Sequence, residues 1–296
     1  NQLTFYGKHH DQLKKHFAPD PANLLAARFA ASQGAKKKVL YIDDRVPHCD
    51  QGSGFPRTNA IVNLIKELGY GVTIYPLNFP DEDTWETAYR DIDPYIEIAA
   101  GCGLKGFREF IRSRKEYYDV IWVSRPHNMK AIREDILPLK DKGRIIYDAE
   151  AIFTDRDIMK KEIDGGVVGK ENKIQWYQNE FKLSDMAHAV VCVSENDALK
   201  FRHSEKKDVF VLGHTLEIGD VIPGFDEREG VLFVGNLDDD DSPNVDSMVW
   251  FINDILPIVR QAIPGLTVDI VGSAHSSRIR SNRHDGVFVH GKVAFI

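Results

Sequence analysis

The stretch Val231–Gly272, VLFVGNLDDDDSPNVDSMVWFINDILPIVRQAIPGLTVDIVG, decides the fold. Val231–Val234 is a continuous apolar run ending at Gly235, a pattern that predicts a strand buried on both faces of a parallel sheet. Pro243-Asn244 opens a helix in which Met248, Phe251, Ile252, Ile255, Leu256 and Val259 recur at helical spacing. Pro264-Gly265 stops it, and Leu266–Val271 is the next strand. Strand, helix and strand in this order make one right-handed β-α-β unit.

The same alternation runs through the first two hundred residues. Val39–Ile42, Val72–Tyr75, Asp119–Val123, Arg144–Tyr147, Ala189–Val193 and Val209–Leu212 read as strands. Between them lie helical segments: one with Ile61, Leu64, Ile65 and Leu68 on one face, then Trp85–Tyr89, then Leu104–Lys115 with Phe107 and Ile111 inward, and Ser194–Arg202 capped by Ser194. This order predicts an α/β fold with doubly wound parallel sheets. Residues 1–35 read as a polar extension with one helical segment, Asn23–Gln33; 36–218 as the first domain; 219–230, rich in glycine and charge, as a linker; and 231–296 as a second domain.

The chain has 296 residues, is 43% hydrophobic and 28% charged, and carries a net charge of −7. That balance disfavours nucleic acid as a partner. Cys49, Cys102 and Cys192 show neither metal-ligand spacing nor a disulfide framework, which suits a reducing compartment. No apolar run reaches the roughly 18 residues of a membrane span. There is no G-x-G-x-x-G after the first strand, as a nicotinamide dehydrogenase would have. Asp43-Asp44 ends the first strand as paired acids do in phospho-acceptor receiver domains, but DVIWV is followed by Ser124 where a receiver needs a third aspartate, so the pair reads as structural or acceptor-binding. The aspartates Asp238–Asp241 read as a solvated loop rather than a metal site, and no D-x-D or His/Asp cluster suggests a metal.

FVGN, PNVDSMVWF, ILPIVRQAIPG and IVGS closely resemble the opening of the nucleotide-sugar-binding domain of family 4 glycosyltransferases, which are retaining enzymes of the two-Rossmann-domain, or GT-B, type. VLYIDDRVPHCDQGSGFPRTNAIVNLIKELGYGVTIYPLN, YDVIWVSRPHNM and GRIIYDAEAIFTDRD resemble the first domain of the same group, so the likeness extends over residues 37–292. The resemblance implies two Rossmann-like domains, the second incomplete. Family members carry a later Glu-containing segment that binds the donor, whereas this sequence stops at Ile296 and starts at Asn1, as a C-terminally truncated, excised piece would. It implies a UDP-, GDP- or dTDP-sugar as donor substrate and a glycan or lipid-linked saccharide as acceptor. No tightly bound cofactor or metal is implied. The expected setting is polysaccharide biosynthesis in the cytoplasm, with room for peripheral contact at the inner face of the membrane. A different class, a non-catalytic glycan-binding or scaffold module, also accounts for a missing donor segment.

The candidate residues follow from strand ends, where open α/β sheets bind ligands. Gly52, Ser53 and Gly54 let backbone approach a ligand at a helix N-terminus, and Arg57 adds a cation there, near the donor phosphates or the acceptor. Gly235-Asn236 and Gly272-Ser273 are the matching turns of the second domain, and the resemblance implies that they lie near the nucleotide. Many family members place an Arg and a Lys after the first of these, where this chain has Asp238–Asp241. Asp44, Arg125 and Asn128 are expected to bind the acceptor, and His127, Asp148 and Glu150 to carry the chemistry, one carboxylate as general base. Helix capping, or a salt bridge to Arg156, is the alternative for Asp148 and Glu150.

Overall fold

A computed structural model describes residues 2–13, 35, 37–52, 54–78, 84–114, 116–204, 208–215, 224–282 and 284–293. The expected helix Asn23–Gln33 lies outside them, as do Ser53 and part of the expected linker. The chain divides into two compact units, Asn1–Thr215 and Leu216–Ile296. Among the described residues no helix is long and apolar enough to cross a membrane.

Unit 1 begins with helix α1 (Gln2–Leu13), in a stretch whose sequence has no apolar stripe; its Leu3, Phe5 and Tyr6 are exposed. Its sheet is built from β1 (Lys38–Asp43), β2 (Gly71–Pro76), β3 (Glu97–Ile98), β4 (Val120–Ser124), β5 (Arg144–Glu150), β6 (Ala189–Cys192) and β7 (Val209–Val211). These strands are all parallel, in the order β3-β2-β1-β4-β5-β6-β7 among the described residues. The order reverses between β1 and β4, so the sheet has its switch point there. The strands are nearly continuous apolar runs because both faces are covered. One core cluster gathers Leu40, Ile42, Phe107, Val123, Ile145 and Phe201, and the other gathers Tyr41, Ile61, Val62, Ile74 and Ile96.

Helix α2 (Gly54–Glu67) corrects the expected inward stripe. Arg57, Thr58, Asn59, Ile61 and Val62 are buried, whereas Leu64 and Leu68 are exposed. Three polar side chains turn inward at the start of this helix, so the buried face is rotated from the one that the leucines suggest. Helices α3 (Trp85–Ala88), α4 (Gly103–Ser113), α5 (Pro126–Ile136), α6 (Phe153–Ile163), α7 (Lys170–Phe181) and α8 (Glu195–His203) complete the unit. Phe107 and Ile111 of α4 are buried, and the Ser194 hydroxyl accepts from Asp197 N at the start of α8, both as expected.

Unit 2 is a three-stranded parallel sheet among the described residues, in the order β10-β9-β8, formed by β8 (Val231–Val234), β9 (Val268–Val271) and β10 (Val287–Gly291). Helix α9 (Pro243–Trp250) passes through a π-helical turn, Phe251–Ile255, into α10 (Leu256–Ala262); α11 (Ser277–Ser281) follows β9. Val245, Met248, Ile252, Leu256 and Ile270 form the core with Val231 and Phe233 beside it. β8 is not buried on both faces. Leu232 and Val234 are 56% and 53% exposed, because among the described residues helices cover only the face that carries Val231 and Phe233.

The two glycine turns of unit 2 touch. A Cβ on Gly272, whose φ is +127°, would lie 1.9 Å from the carbonyl oxygen of Gly235. Leu237 N donates to Ser273 O at 2.7 Å, locking the turns together. Only glycine fits such an approach. Gly272→Ala is therefore expected to cost about 3 kcal/mol or more, seen as faster hydrogen exchange throughout β8 and β9 and a lower urea midpoint.

Candidate functional site

The sequence brings four strand ends and one helix start together at the switch point of unit 1. Asp43 ends β1 and Asp44 follows it, Ser124 ends β4 and Arg125 follows it, Asp148 and Glu150 lie at the end of β5, and Leu212 follows β7. Beneath them Arg57 reaches inward from α2. Its side chain is 1% exposed; Nη1 donates to Asp148 at 2.9 Å and Nε donates to the Leu212 carbonyl at 2.9 Å. Asp148 is fully buried, takes a further bond from Trp122 Nε1, and accepts from Glu150 N at 3.2 Å. Burial pushes its carboxyl up, and the Arg57 guanidinium opposes this. Arg57 and Asp148 thus hold each other, and neither presents its charge to a ligand. The alternative of a salt bridge to Arg156 is not formed: the Arg156 guanidinium lies over the Phe153 ring at 5.4 Å.

Above this pair stands a second layer. Arg125 Nε donates to Asp43 at 2.8 Å and lies 3.4 Å from Asp44, and Nη2 lies 3.6 Å from Glu150. Asp43 also accepts from Thr58 Oγ and Asp44 N. Burial pushes Asp43 up to about 6, against the pull of Arg125. Burial also raises Glu150, again opposed by Arg125. Both Arg125 (φ 75°) and Glu150 (φ 53°) occupy the left-handed half of backbone space, unusual for long side chains. Arg125 N is held there by the Asp148 carbonyl at 2.8 Å. At Glu150 the register of β5 on β6 slips, and this bulge re-aims the carboxylate toward Arg125. Gly54 makes the arrangement possible: a Cβ there would lie 2.8 Å from both Arg125 Nη2 and the Glu150 carboxylate.

His127 stands at the edge, half exposed, with Nε2 2.6 Å from Asp44. An ionised Asp44 fixes the proton on Nε2 and leaves Nδ1 as the free ring nitrogen. The Asp44 hydrogen bond raises the His127 pKa, partly opposed by burial. Burial opposes the ionisation of Asp44, but His127 and Arg125 outweigh it and hold its carboxyl low. Asn128 is buried and donates to the Ser124 carbonyl at 2.9 Å, so it braces the turn. Half-buried Phe55 and Phe153 flank the cluster: Arg125 lies 4.6 Å over the first, and the His127 ring is 6.3 Å from the second. Thr58 and Phe55 were not among the residues expected from the sequence, whereas Asp43 was expected, with Asp44, in a structural or acceptor-binding role. Asp43 had a signal, as one of a pair of acids at a strand end; Phe55 had none.

In unit 2, Gly235, Asn236, Gly272 and Ser273 lie together as expected. Of the aspartates after them, Asp238, Asp239 and Asp241 are exposed, in keeping with a solvated loop, but two of the four also make fixed bonds to the loop after β9. Asp238 accepts from His275 N and Nδ1 at 3.0 and 2.7 Å. Asp240 accepts from the Ser276 and Ser277 hydroxyls and from Arg278 N, which pull its carboxyl down to about 2. These carboxylates tie the turn after β8 to the loop after β9.

No protein-family model matches the sequence, and no curated protein matches it. Solved structures do match its fold. The sucrose-phosphate synthase of Thermosynechococcus elongatus superposes with a TM-score of 0.59 at 14% identity, covering 87% of this chain and 71% of that one. Anabaena HepE, in complex with UDP and glucose, gives 0.56 at 11% identity over 87% of this chain and 70% of that one. A TarM variant of S. aureus, in complex with fondaparinux, alpha-GlcNAc-glycerol and UDP, gives 0.58 at 6% identity over 87% and 78%. At such identities the likeness is one of fold: two Rossmann-like units of the GT-B type, as the sequence predicts.

Two outcomes follow from the geometry. Removing one partner of a buried ion pair strands the other, so Arg57→Leu is expected to cost about 3–5 kcal/mol by urea unfolding, with part of the loss recovered when Asp148→Leu is added. The stability from Asp44 is present above its unfolded pKa of about 3.9 and lost as pH falls through its lower folded value. That from His127 is complete below about 6.5 and lost as pH rises through its higher folded value. Their pair therefore helps most from about pH 4 to 6.5. Asp44→Asn should bring the His127 titration in proton NMR back toward about 6.5; an unmoved midpoint would mean that Asp44 does not govern it.

Proposed function

We propose that this chain is a glycosyltransferase that moves a sugar from a nucleotide-sugar to a saccharide or lipid-linked saccharide acceptor, with retention at the anomeric carbon. The observation that carries this reading is the Asp44–His127 pair beside Arg125 and Glu150, at the carboxyl ends of β1, β4 and β5. Ligands of open α/β sheets bind at such a switch point. HepE bound to UDP-glucose, and TarM bound to UDP and saccharides, support a UDP-sugar donor.

Each unit has its own task. Unit 1 takes the acceptor: Glu150 and Asp44 accept bonds from hydroxyls, and His127, made more basic by Asp44, positions or deprotonates one of them through Nδ1. Gly52 and Gly54 admit the approach of backbone to a ligand. Unit 2 takes the nucleotide against the turns at Gly235-Asn236 and Gly272-Ser273, where backbone N–H groups face the diphosphate that leaves. Arg57, Asp148 and Asn128 support this arrangement from within. The free thiols of Cys49, Cys102 and Cys192 suit a reducing cytoplasm, and a lipid-linked acceptor would bring the protein to the inner face of the membrane.

One observation favours a second reading, the non-catalytic saccharide-binding module. Asp238–Asp241 stand where a diphosphate would want cations. The two readings part in one experiment: incubation with UDP-, GDP- and dTDP-glucose, with and without added saccharide, following release of the free nucleoside diphosphate. The enzyme reading expects release that falls by about a hundredfold in His127→Ala and by tenfold or more in Glu150→Gln. Saccharide binding without affinity for any of the three nucleotides would establish the module instead.

A further inference from the structure

The unit 1 site has more negative than positive charge. Its interacting groups are four carboxylates, Asp43, Asp44, Asp148 and Glu150, and two guanidiniums, Arg57 and Arg125. Arg156, whose guanidinium lies 5.4 Å over the Phe153 ring, adds a third at the edge, so the carboxylates are in excess while His127 is neutral. Arg57 and Asp148 cancel one another in the buried layer. The outer layer then holds Asp43, Asp44 and Glu150 against Arg125 and His127, and Arg125 already lies within 3.6 Å of all three acids. Nη2 of Arg57 and Nη2 of Arg125 make no hydrogen bond but are shut off from solvent, so neither is offered to an incoming anion. The whole chain adds to the effect, with a net charge of −7.

Each class of ligand would meet a different balance. A neutral hydroxyl donates to a carboxylate without bringing charge. An ammonium gains attraction from the surplus carboxylates. A carboxylate, phosphate or sulfate meets like charge in a partly desolvated place, where repulsion is weakly screened. The half-buried ring of Phe153, beside His127, offers an apolar wall to the C–H face of a sugar ring. We propose that unit 1 selects neutral or amino-bearing saccharide acceptors and rejects anionic ones, with Glu150 and Asp44 as the specificity-determining residues. The proposal rests on the glycosyltransferase reading for its substrate class and adds the sign of the acceptor's charge to it. Rejection by misplaced like charge is a common route to specificity.

The test is equilibrium binding of the full chain to three matched probes at pH 7.5 and low ionic strength: methyl glucoside, its 2-amino-2-deoxy counterpart and methyl glucuronoside, followed by ligand-observed NMR. The glucuronoside should bind more weakly than the glucoside by about tenfold or more, and the amino sugar as tightly or more tightly. Added salt should narrow the gap. Glu150→Gln, and separately the more exposed Asp44→Asn, should narrow it too, each checked for native fold by circular dichroism. Glucuronoside binding equal to or tighter than the glucoside overturns the proposal, as does a gap that both variants leave unchanged. Failure of all three probes to bind also overturns it. Release of nucleoside diphosphate from the donors then shows whether the glycosyltransferase reading survives on its own.

Discussion

The buried ion pair of Arg57 and Asp148 is the interaction on which unit 1's site depends. Two ions taken out of water are tolerable only when each satisfies the other and the remaining bonds are made. Here most of them are made by the framework itself, through the carbonyl after β7, the indole of Trp122 and the backbone N–H of Glu150; Arg57 Nη2 is buried without a hydrogen bond. The main chain of Asp148 also receives Arg125 N. One residue therefore anchors both non-glycine positions of this site whose φ is positive. The outer layer of Arg125, Asp43, Asp44, His127 and Glu150 is built on this buried one.

That layering separates a buried pair from groups nearer to solvent. The inner pair is electrically closed and out of reach of solvent. The outer groups keep unequal surroundings: Asp44 is held ionised by His127 and Arg125, while burial makes Asp43 and Glu150 more reluctant to ionise. Pushing neighbouring carboxylates apart in this manner is how one site comes to hold groups with different tasks. Unit 2 uses carboxylates in another way. Asp238 and Asp240 gather the N–H and hydroxyl donors of the loop after β9, so their charge is answered locally.

Much of the fold was legible because strands of parallel sheets announce themselves as short apolar runs. Val39–Ile42, Asp119–Val123 and Ala189–Val193 fall on β1, β4 and β6. The strand ends were legible too, and with them Asp44, Arg125, His127 and Glu150. What composition could not convey was direction. Arg57 looks like a free cation in a sequence, yet its length lets it span α2 to β5 and become core. Leu64 and Leu68 look like core, yet they sit on the flank of a helix whose inward face is partly polar. The run VLFV looks buried on both sides, but apolarity alone does not say whether a second layer covers it. The bulge at Glu150 depends on pairing between β5 and β6, which no local pattern encodes.

The backbone at Arg125 and Glu150 has a consequence for how this protein stands toward improvement. Glycine would rest more easily at either φ, so the most comfortable chain for this scaffold is not the one observed. Substituting there trades a local relaxation against the loss of a charged group from the cluster. Selection for heat resistance alone would drift toward that exchange and erode the site while the rest of the molecule grew sturdier. The two positions mark where backbone comfort and the charged cluster pull in opposite directions, and a stabilised version of this protein that kept the cluster would have to gain its margin elsewhere.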